Sequence, residues 1–203
     1  MTTRFVGDSA LLVDTENVQT AQQLCAVIHR QSLKGLRELV PAYNTLLVEF
    51  DPLEFDVMQF IRRLPQFLKA PPLRGLVREH DIEVTYNGED LEEVARMTGL
   101  SILEVIQCHS AATYTVAFLG FAPGFPYLTG LDPKLRMPRL KSPRTQVPVG
   151  AVAIADEFSG IYPQATPGGW RILGHTNTVL FDVSRPTPVL LMPGDTVHFR
   201  PLV

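Results

Sequence analysis

Three stretches of this sequence concentrate residue types that hold small molecules or carry charge. The first is Phe118-Leu119-Gly120-Phe121-Ala122-Pro123-Gly124-Phe125-Pro126-Tyr127-Leu128. Gly120 and Gly124 permit close backbone approach or positive φ. Pro123 and Pro126 stiffen the loop, and Phe121, Phe125 and Tyr127 offer flat apolar surface. Such a loop walls a small-molecule pocket, anchors a protein interface or packs as a core turn, and composition leaves all three open. The second stretch, residues 132–144, has one acid, Asp132, and five bases: Lys134, Arg136, Arg139, Lys141 and Arg144. An arginine fork there binds carboxylate or phosphate through paired hydrogen bonds; the alternatives are a solvated basic loop or an RNA-binding strip. The third runs from Ile161 to Thr176 and contains Pro167-Gly168-Gly169-Trp170, with the only tryptophan of the chain. Its Pro-Gly-Gly suggests a special turn whose amides receive an anion. Two histidines accompany these stretches. His109, at the end of a short helix, is the better candidate for a proton shuttle, and His175 reads more readily as structural.

Other chemistries are excluded by pattern. There is no GxxxxGK[ST] phosphate loop, GxGxxG fingerprint, HExxH or GxSxG. His29, His80, His109, His175 and His198 lack metal-ligand spacing, so no metal site is expected. A nucleotide site, if one is used, must be unconventional or shared with or supplied by a partner. Residues 91–105 imitate a DNA-binding helix pair, but Asp90, Glu92, Glu93 and Glu104 face only Arg96 there. With a net charge of −3 besides, nucleic acid is not an expected ligand. No apolar run approaches the ~18 residues of a membrane span, and no secretory signal opens the chain. Cys25 and Cys108 form no CxxC pair and read as reduced thiols. A cytoplasmic protein without a membrane partner is the expectation.

The elements that must position these residues divide the chain. Residues 120–203 contain 12 of the 17 prolines and 9 of the 14 glycines, which suits short strands and turns. The N-terminal part reads as strand 10–13, a helix marked by Val18, Ala21, Cys25 and Ile28 with Asp14 or Thr15 as N-cap, strand 46–50, and a helix marked by Val57, Ile61, Leu64 and Leu68 that Pro65 kinks or interrupts. A boundary is expected at Pro71-Pro72-Leu73-Arg74-Gly75, giving domains 1–77 and 78–203. Then come a strand over 80–86 and two short helices with capping boxes at Asp90/Glu93 and Ser101/Glu104. Strands follow at 113–119, 147–154, 171–174, 178–182, 188–192 and 195–200. That set predicts a closed or nearly closed β-barrel carrying a helical pair.

In this order the three motifs resemble the KipI family, also labelled allophanate hydrolase subunit 1 or the B subunit of 5-oxoprolinase. The resemblance covers nearly the whole chain and is strongest over 119–128, 138–154, 161–176 and 193–199; the first 75 residues match loosely. It implies an α+β protein, with a small α/β N-terminal domain followed by a cyclophilin-like β-barrel. It also implies a hydrolase subunit, inactive alone, that works with the A and C subunits of 5-oxoprolinase. Using ATP, with Mg expected, the complex would open the lactam of 5-oxo-L-proline to L-glutamate. Other family members inhibit a sensor histidine kinase or form half of a carboxyltransferase-type module, as in urea carboxylase. On the matching motifs, residue chemistry assigns His109, Arg139 and Arg144 to catalysis and anion recognition. Phe121, Gly124, Phe125, Pro126, Tyr127, Gly168, Gly169 and Trp170 are assigned to substrate binding.

Overall fold

A computed structural model describes residues 2–70 and 78–202, which fall into two units with separate hydrophobic cores. The boundary expected at Pro71 to Gly75 lies outside the described residues.

In the first unit, period-two alternation sets the sheet and 3.6-residue spacing sets its cover. Strands β1 (Thr3–Val6), β2 (Ala10–Asp14), β3 (Leu36–Ala42) and β4 (Thr45–Phe50) pair antiparallel in the order β1-β2-β4-β3. Leu11 and Val13 of β2 and Leu46, Val48 and Phe50 of β4 are buried with Leu24 and Ile28 of α1 (Val18–His29) and Phe60 and Leu64 of α2 (Val57–Lys69). The helix starts differ from expectation. Asn17 caps α1, accepting from the Thr20 N–H, because Asp14 still belongs to β2. Helix α2 is not interrupted at Pro65. Proline removes one amide donor, but buried Phe60, Leu64 and Phe67 hold both sides of it to the same core. Strands β1 and β3 were not legible: β1 is short and mostly exposed, and β3 contains Pro41, which an edge strand tolerates.

The second unit is a seven-stranded sheet that closes on itself. Its strands are β5 (Glu79–Val84), β6 (Tyr114–Leu119), β7 (Pro126–Thr129), β9 (Ala151–Ala155), β10 (Phe158–Ile161), β12 (Arg171–His175) and β13 (Thr196–Pro201). Their order is β12-β9-β10-β7-β6-β13-β5, with β13 and β5 parallel. A separate ribbon pairs β8 (Arg144–Val147) with β11 (Thr166–Gly168). The two edges of the larger sheet meet where Thr85 and His175 exchange N–H···O bonds of 2.9 and 2.8 Å. Gly88 N–H to Leu173 O (3.0 Å) and Asp90 N–H to Ile172 O (3.1 Å) extend that seam. A Cβ on Gly174 would overlap the Thr85 carbonyl oxygen, and one on Gly88 would overlap the Ile172 carbonyl. The seam therefore closes only because both positions lack a side chain. Helices α3 (Leu91–Thr98) and α4 (Ile102–Ala111) add Leu91, Val94 and Val105 to the same core.

Several expected elements are corrected. The strand expected over 147–154 is split into β8 and β9 by Pro148 and by Gly150, whose φ is 80°. Segments 178–182 and 188–192 form no named strand; they meet at a Phe181–Val189 bridge, with Asp182 N–H to Pro188 O and Leu190 N–H to Leu180 O both at 2.9 Å, and Pro188 has no N–H with which to extend the ladder. The Ser101/Glu104 capping box forms. The Asp90/Glu93 box does not: the Asp90 carboxylate makes no cap and instead accepts the Ile172 N–H at 2.7 Å.

Closure at the seam is directly testable. Gly174→Ala is expected to destabilise the chain by about 1–3 kcal/mol through backbone overlap, read as a lower urea midpoint; an unchanged midpoint would refute the seam's dependence on a missing Cβ.

Candidate functional site

Strand β10 separates two chemistries by its period of two. Ser159 and Ile161 face the barrel core, where Ser159 bonds His109 and Ile161 joins the apolar cluster. Phe158 and Gly160 face the opposite side, and a Cβ on Gly160 would crowd Trp170 and Phe125. Neighbouring strands follow suit. Leu128 of β7 is in the core, while Tyr127 points the other way. A register shift in β6 between Val116 and Phe118 brings Phe118 opposite Tyr127, and the two rings stack at 4.3 Å.

The outward side is an aromatic platform. Phe125 lies edge-to-face on Tyr127 (5.2 Å), Tyr162 (5.1 Å), Trp170 (5.3 Å) and Phe121 (5.3 Å). Phe158 meets both Phe118 and Tyr127. Phe125, Tyr162 and Trp170 are buried and form a floor, Tyr127 is half-buried, and Phe121 is 61% exposed. Phe121 also has a φ of 68°, a left-handed conformation that costs an aromatic residue free energy and persists only where its surroundings impose it. Here the Gly120 N–H to Phe125 O and Phe125 N–H to Ala122 O bonds impose it. Gly124 supplies the second left-handed residue, φ 78°, where a Cβ would press on Phe181 at 2.9 Å. Pro126 opens β7 and is buried.

The basic segment runs beside this platform. The Asp156 N–H bonds the Met137 carbonyl (2.7 Å), the Leu140 N–H bonds the Gly169 carbonyl (2.8 Å), and Arg171 Nε bonds the Pro138 carbonyl (3.2 Å). Arg139 and Arg144, expected in one role, differ. Arg139 is 61% exposed and makes a loose ion pair with Asp156 at 3.6 Å. Arg144 is committed internally: Nη2 to Asp90 at 2.6 Å, Nε to Glu89 at 3.3 Å and Nη1 to the Trp170 carbonyl at 3.4 Å. Burial works against its charge, and the Asp90 and Glu89 carboxylates more than offset that. Arg144 holds the Trp170 turn, and its geometry does not support the expected anion recognition. Gly168 and Gly169 are corrected as well. Neither has positive φ; Gly168 pairs with Arg144 in the ribbon, and a Cβ on it would overlap the Tyr162 hydroxyl. Gly168 is required by close packing rather than by an anion-receiving turn, whereas a Cβ on Gly169 would meet its neighbours only at 3.7 Å, an ordinary contact.

His109 lies on the other face of the sheet, fully buried. Its Nδ1 is 2.8 Å from Tyr86 Oη and its Nε2 2.9 Å from Ser159 Oγ, while its ring stacks on Phe199 at 4.6 Å. Ser159 donates to the Ala153 carbonyl (3.3 Å), so it accepts from Nε2–H, and Nδ1 accepts from Tyr86. Burial pushes the His109 pKa down to about 3. A neutral imidazole with both nitrogens bonded, across the sheet from the platform, does not meet the expectation of a proton shuttle. His175 serves the seam through its backbone. Cys25 and Cys108 are free, and burial pushes the Cys25 thiol up to about 11.

The site residues that sequence reasoning left unassigned are Tyr162, Phe158, Phe118, Asp156 and Asp90. Alternation in Phe158-Ser159-Gly160-Ile161 was the available signal for the platform; nothing local signalled Asp90 as a buried tertiary partner.

Residues 1–191 match the family described as carboxyltransferase domain, subdomain C and D. The chain is 37% identical to the 5-oxoprolinase B subunit of Escherichia coli O157:H7, over 97% of this chain and 94% of that protein. It is 36% identical to the 5-oxoprolinase B subunit of Bacillus subtilis (strain 168), over 98% and 93% respectively. Among solved structures, TTHA0988 superposes with a TM-score of 0.85 at 38% identity; the match takes in all of this chain but spans only 40% of that longer one.

Two stability experiments separate structural from surface roles. Arg144→Ala leaves the buried Asp90 carboxylate with the Ile172 N–H but no compensating cation and is expected to cost about 3–5 kcal/mol, whereas Arg139→Ala stays within about 0.5 kcal/mol, both read by urea unfolding. Equal losses would contradict the assignment. His109 adds a pH dependence. Its folded pKa lies below the unfolded value near 6.5, so between those values the unfolded chain binds the extra proton. This contribution is whole above pH 6.5 and is lost as pH falls towards 3, at up to about 1.4 kcal/mol per unit. His109→Gln is expected to be less stable at pH 7.5 and to show a flatter decline between pH 6.5 and 4.5; an unchanged slope would show that His109 does not titrate as described.

Proposed function

From the premise that this chain belongs to the family of carboxyltransferase subdomains C and D, we propose that it is the B subunit of an ATP-dependent 5-oxoprolinase. In this reading it works with the A and C subunits to open 5-oxo-L-proline to L-glutamate. The observation that carries the reading is similarity to 5-oxoprolinase B subunits along nearly the full length of both chains. The platform gives it a chemical form.

A lactam carbonyl is a poor electrophile because amide resonance stabilises it, so ring opening needs activation and shelter from bulk water. The residues on the platform suit the binding part of that task. The half-buried Tyr127 and exposed Phe121 present flat apolar faces to a small ring. Arg139 sits beside them, and its pairing with Asp156 is long and exposed, a type of contact worth about 0–1 kcal/mol. A substrate carboxylate displaces Asp156 from the guanidinium at little cost and gains a two-pronged hydrogen bond.

The same residues do not fit a nucleoside triphosphate. Arg139 is exposed and loosely paired, Arg144 is already paired, and Gly168 and Gly169 lack the positive φ of an anion-binding backbone nest. We therefore assign nucleotide binding and phosphoryl chemistry to a partner subunit, and no proton transfer to His109. Exposed Phe121 and Val149 flank the platform: Phe121 is in ring contact with Tyr162, and Val149 precedes Gly150, which donates to the Tyr162 carbonyl. A partner covering this face would bury both and exclude water from the bound lactam.

Glutamate release from 5-oxo-L-proline with ATP, measured for the chain alone and with the A and C subunits, tests the proposal. Activity only in the full mixture is expected, with Arg139→Ala raising KM at least tenfold and Arg139→Lys less. No release by a verified, folded three-part complex would overturn the reading and favour inhibition of a histidine kinase, scored by loss of kinase autophosphorylation without a small substrate.

A further inference from the structure

Away from the platform, the corner between α3 and α4 is built as a rigid apolar tip. Helix α3 ends on Gly99 in the left-handed conformation, φ 72°, with open space where its Cβ would stand. Helix α4 restarts two residues later from the Ser101/Glu104 capping box, in which the Ser101 N–H donates to Glu104 at 2.8 Å. Leu100, between them, packs against the barrel core. The inward faces of the helices are satisfied by Leu91, Val94, Ala95 and Val105. Met97 and Leu103 each lie two positions from one of those residues, about 200° around the helix, and so point away from the core. They are 46% and 63% exposed, and Ile102 is 41% exposed. Three large apolar side chains thus project from one seven-residue corner whose backbone is fixed at both ends.

Carboxylates frame that tip. Residues 89–107 contain five acids and one base, more excess negative charge than the whole chain carries. Arg144 neutralises Glu89 and Asp90, and Arg171 and Arg96 share Glu93. Glu92 remains exposed with no ion pair to another described residue. Glu104 is also exposed; hydrogen bonds from Ser101, with a smaller contribution from the nearby Lys134, hold its carboxyl below the usual range, so it is charged.

We propose that the α3–α4 corner is a docking knob for a partner subunit, which receives Met97, Ile102 and Leu103 in an apolar pocket rimmed by lysine or arginine; this rests on the subunit reading above. The charges choose the class of occupant. A second copy of this chain would bring the same excess of carboxylates, Glu92 and Glu104 among them, to both sides of the contact, which opposes association. Nucleic acid would bring phosphates to the same carboxylates. A protein surface of opposite charge satisfies both the apolar tip and its frame.

The test uses purified A and C subunits as probes, with wild-type chain, Leu103→Asp and Glu92→Lys. Both side chains are exposed, so both variants are expected to fold, as checked by circular dichroism and urea midpoint; Leu103→Ala is the milder substitute should Leu103→Asp unfold. Leu103→Asp is expected to weaken assembly at least tenfold, and Glu92→Lys to weaken it less while flattening its salt dependence. Glutamate release should fall at limiting partner and recover at saturating partner, because the knob touches no reacting group. Wild-type affinity in both variants, with the wild-type complex active, overturns the knob and leaves the subunit reading intact. A wild-type chain that binds neither probe overturns both. Self-association of the isolated chain abolished by Leu103→Asp overturns the choice of partner.

Discussion

Closure of the barrel along the β12 edge is the constraint on which the second unit depends. Five hydrogen bonds make that seam. Two join Thr85 to His175, one joins Gly88 to Leu173, and two join Asp90 to Ile172, one from each partner's backbone N–H. A sheet edge left open would present unpaired backbone groups to solvent and to other chains. Asp90 is where this seam meets everything else. Its carboxylate, almost fully buried, accepts the Ile172 amide and the Arg144 guanidinium together. Through Arg144 it reaches the Trp170 carbonyl, and so the barrel's closure also fixes the turn that sets the aromatic floor.

The closed sheet has two faces with opposite demands. On the inner one every polar atom must be matched, and the Tyr86–His109–Ser159–Ala153 chain matches each donor to an acceptor. The price of that burial is a histidine kept neutral. On the outer face, small residues do the equivalent work for aromatic ones. Gly160 leaves room for Trp170 and Phe125, and Gly168 leaves room for Tyr162. The platform is rigid because its rings are braced edge to face. It stays open because Phe121, Tyr127 and Arg139 have no further cover within the second unit's described residues.

That openness is intelligible for a subunit. In the function proposed above a partner completes the platform, and a site of that kind cannot also be sealed within one chain, while its exposed residues must be soluble until assembly. The isolated chain meets both conditions by pairing Arg139 loosely with Asp156 and by imposing Phe121's strained backbone through loop hydrogen bonds. A second apolar feature, at the α3–α4 corner, is likewise framed by charge. Two separate faces of this kind suit a protein held between other subunits.

Local pattern alone determined the helices, the alternating strands β2, β4, β5 and β13, the Ser101 capping box and the presence of a barrel. Each of these depends on spacing within a few residues, which the order of side chains already contains. The three chemical motifs were legible too, and tertiary structure does bring the aromatic, basic and Gly-Trp stretches together on one surface. What tertiary structure decided was which member of each motif is free. Arg139 and Arg144 are the same residue type five positions apart, yet one faces solvent and the other is held by Asp90, 54 positions away in sequence. His109 is a candidate acid–base group until the fold places it across the sheet from the platform. Asp90 reads as a helix cap until Ile172 and Arg144 arrive as stronger partners. Such outcomes turn on burial and on competition between distant hydrogen-bonding groups, and no short stretch of sequence contains either.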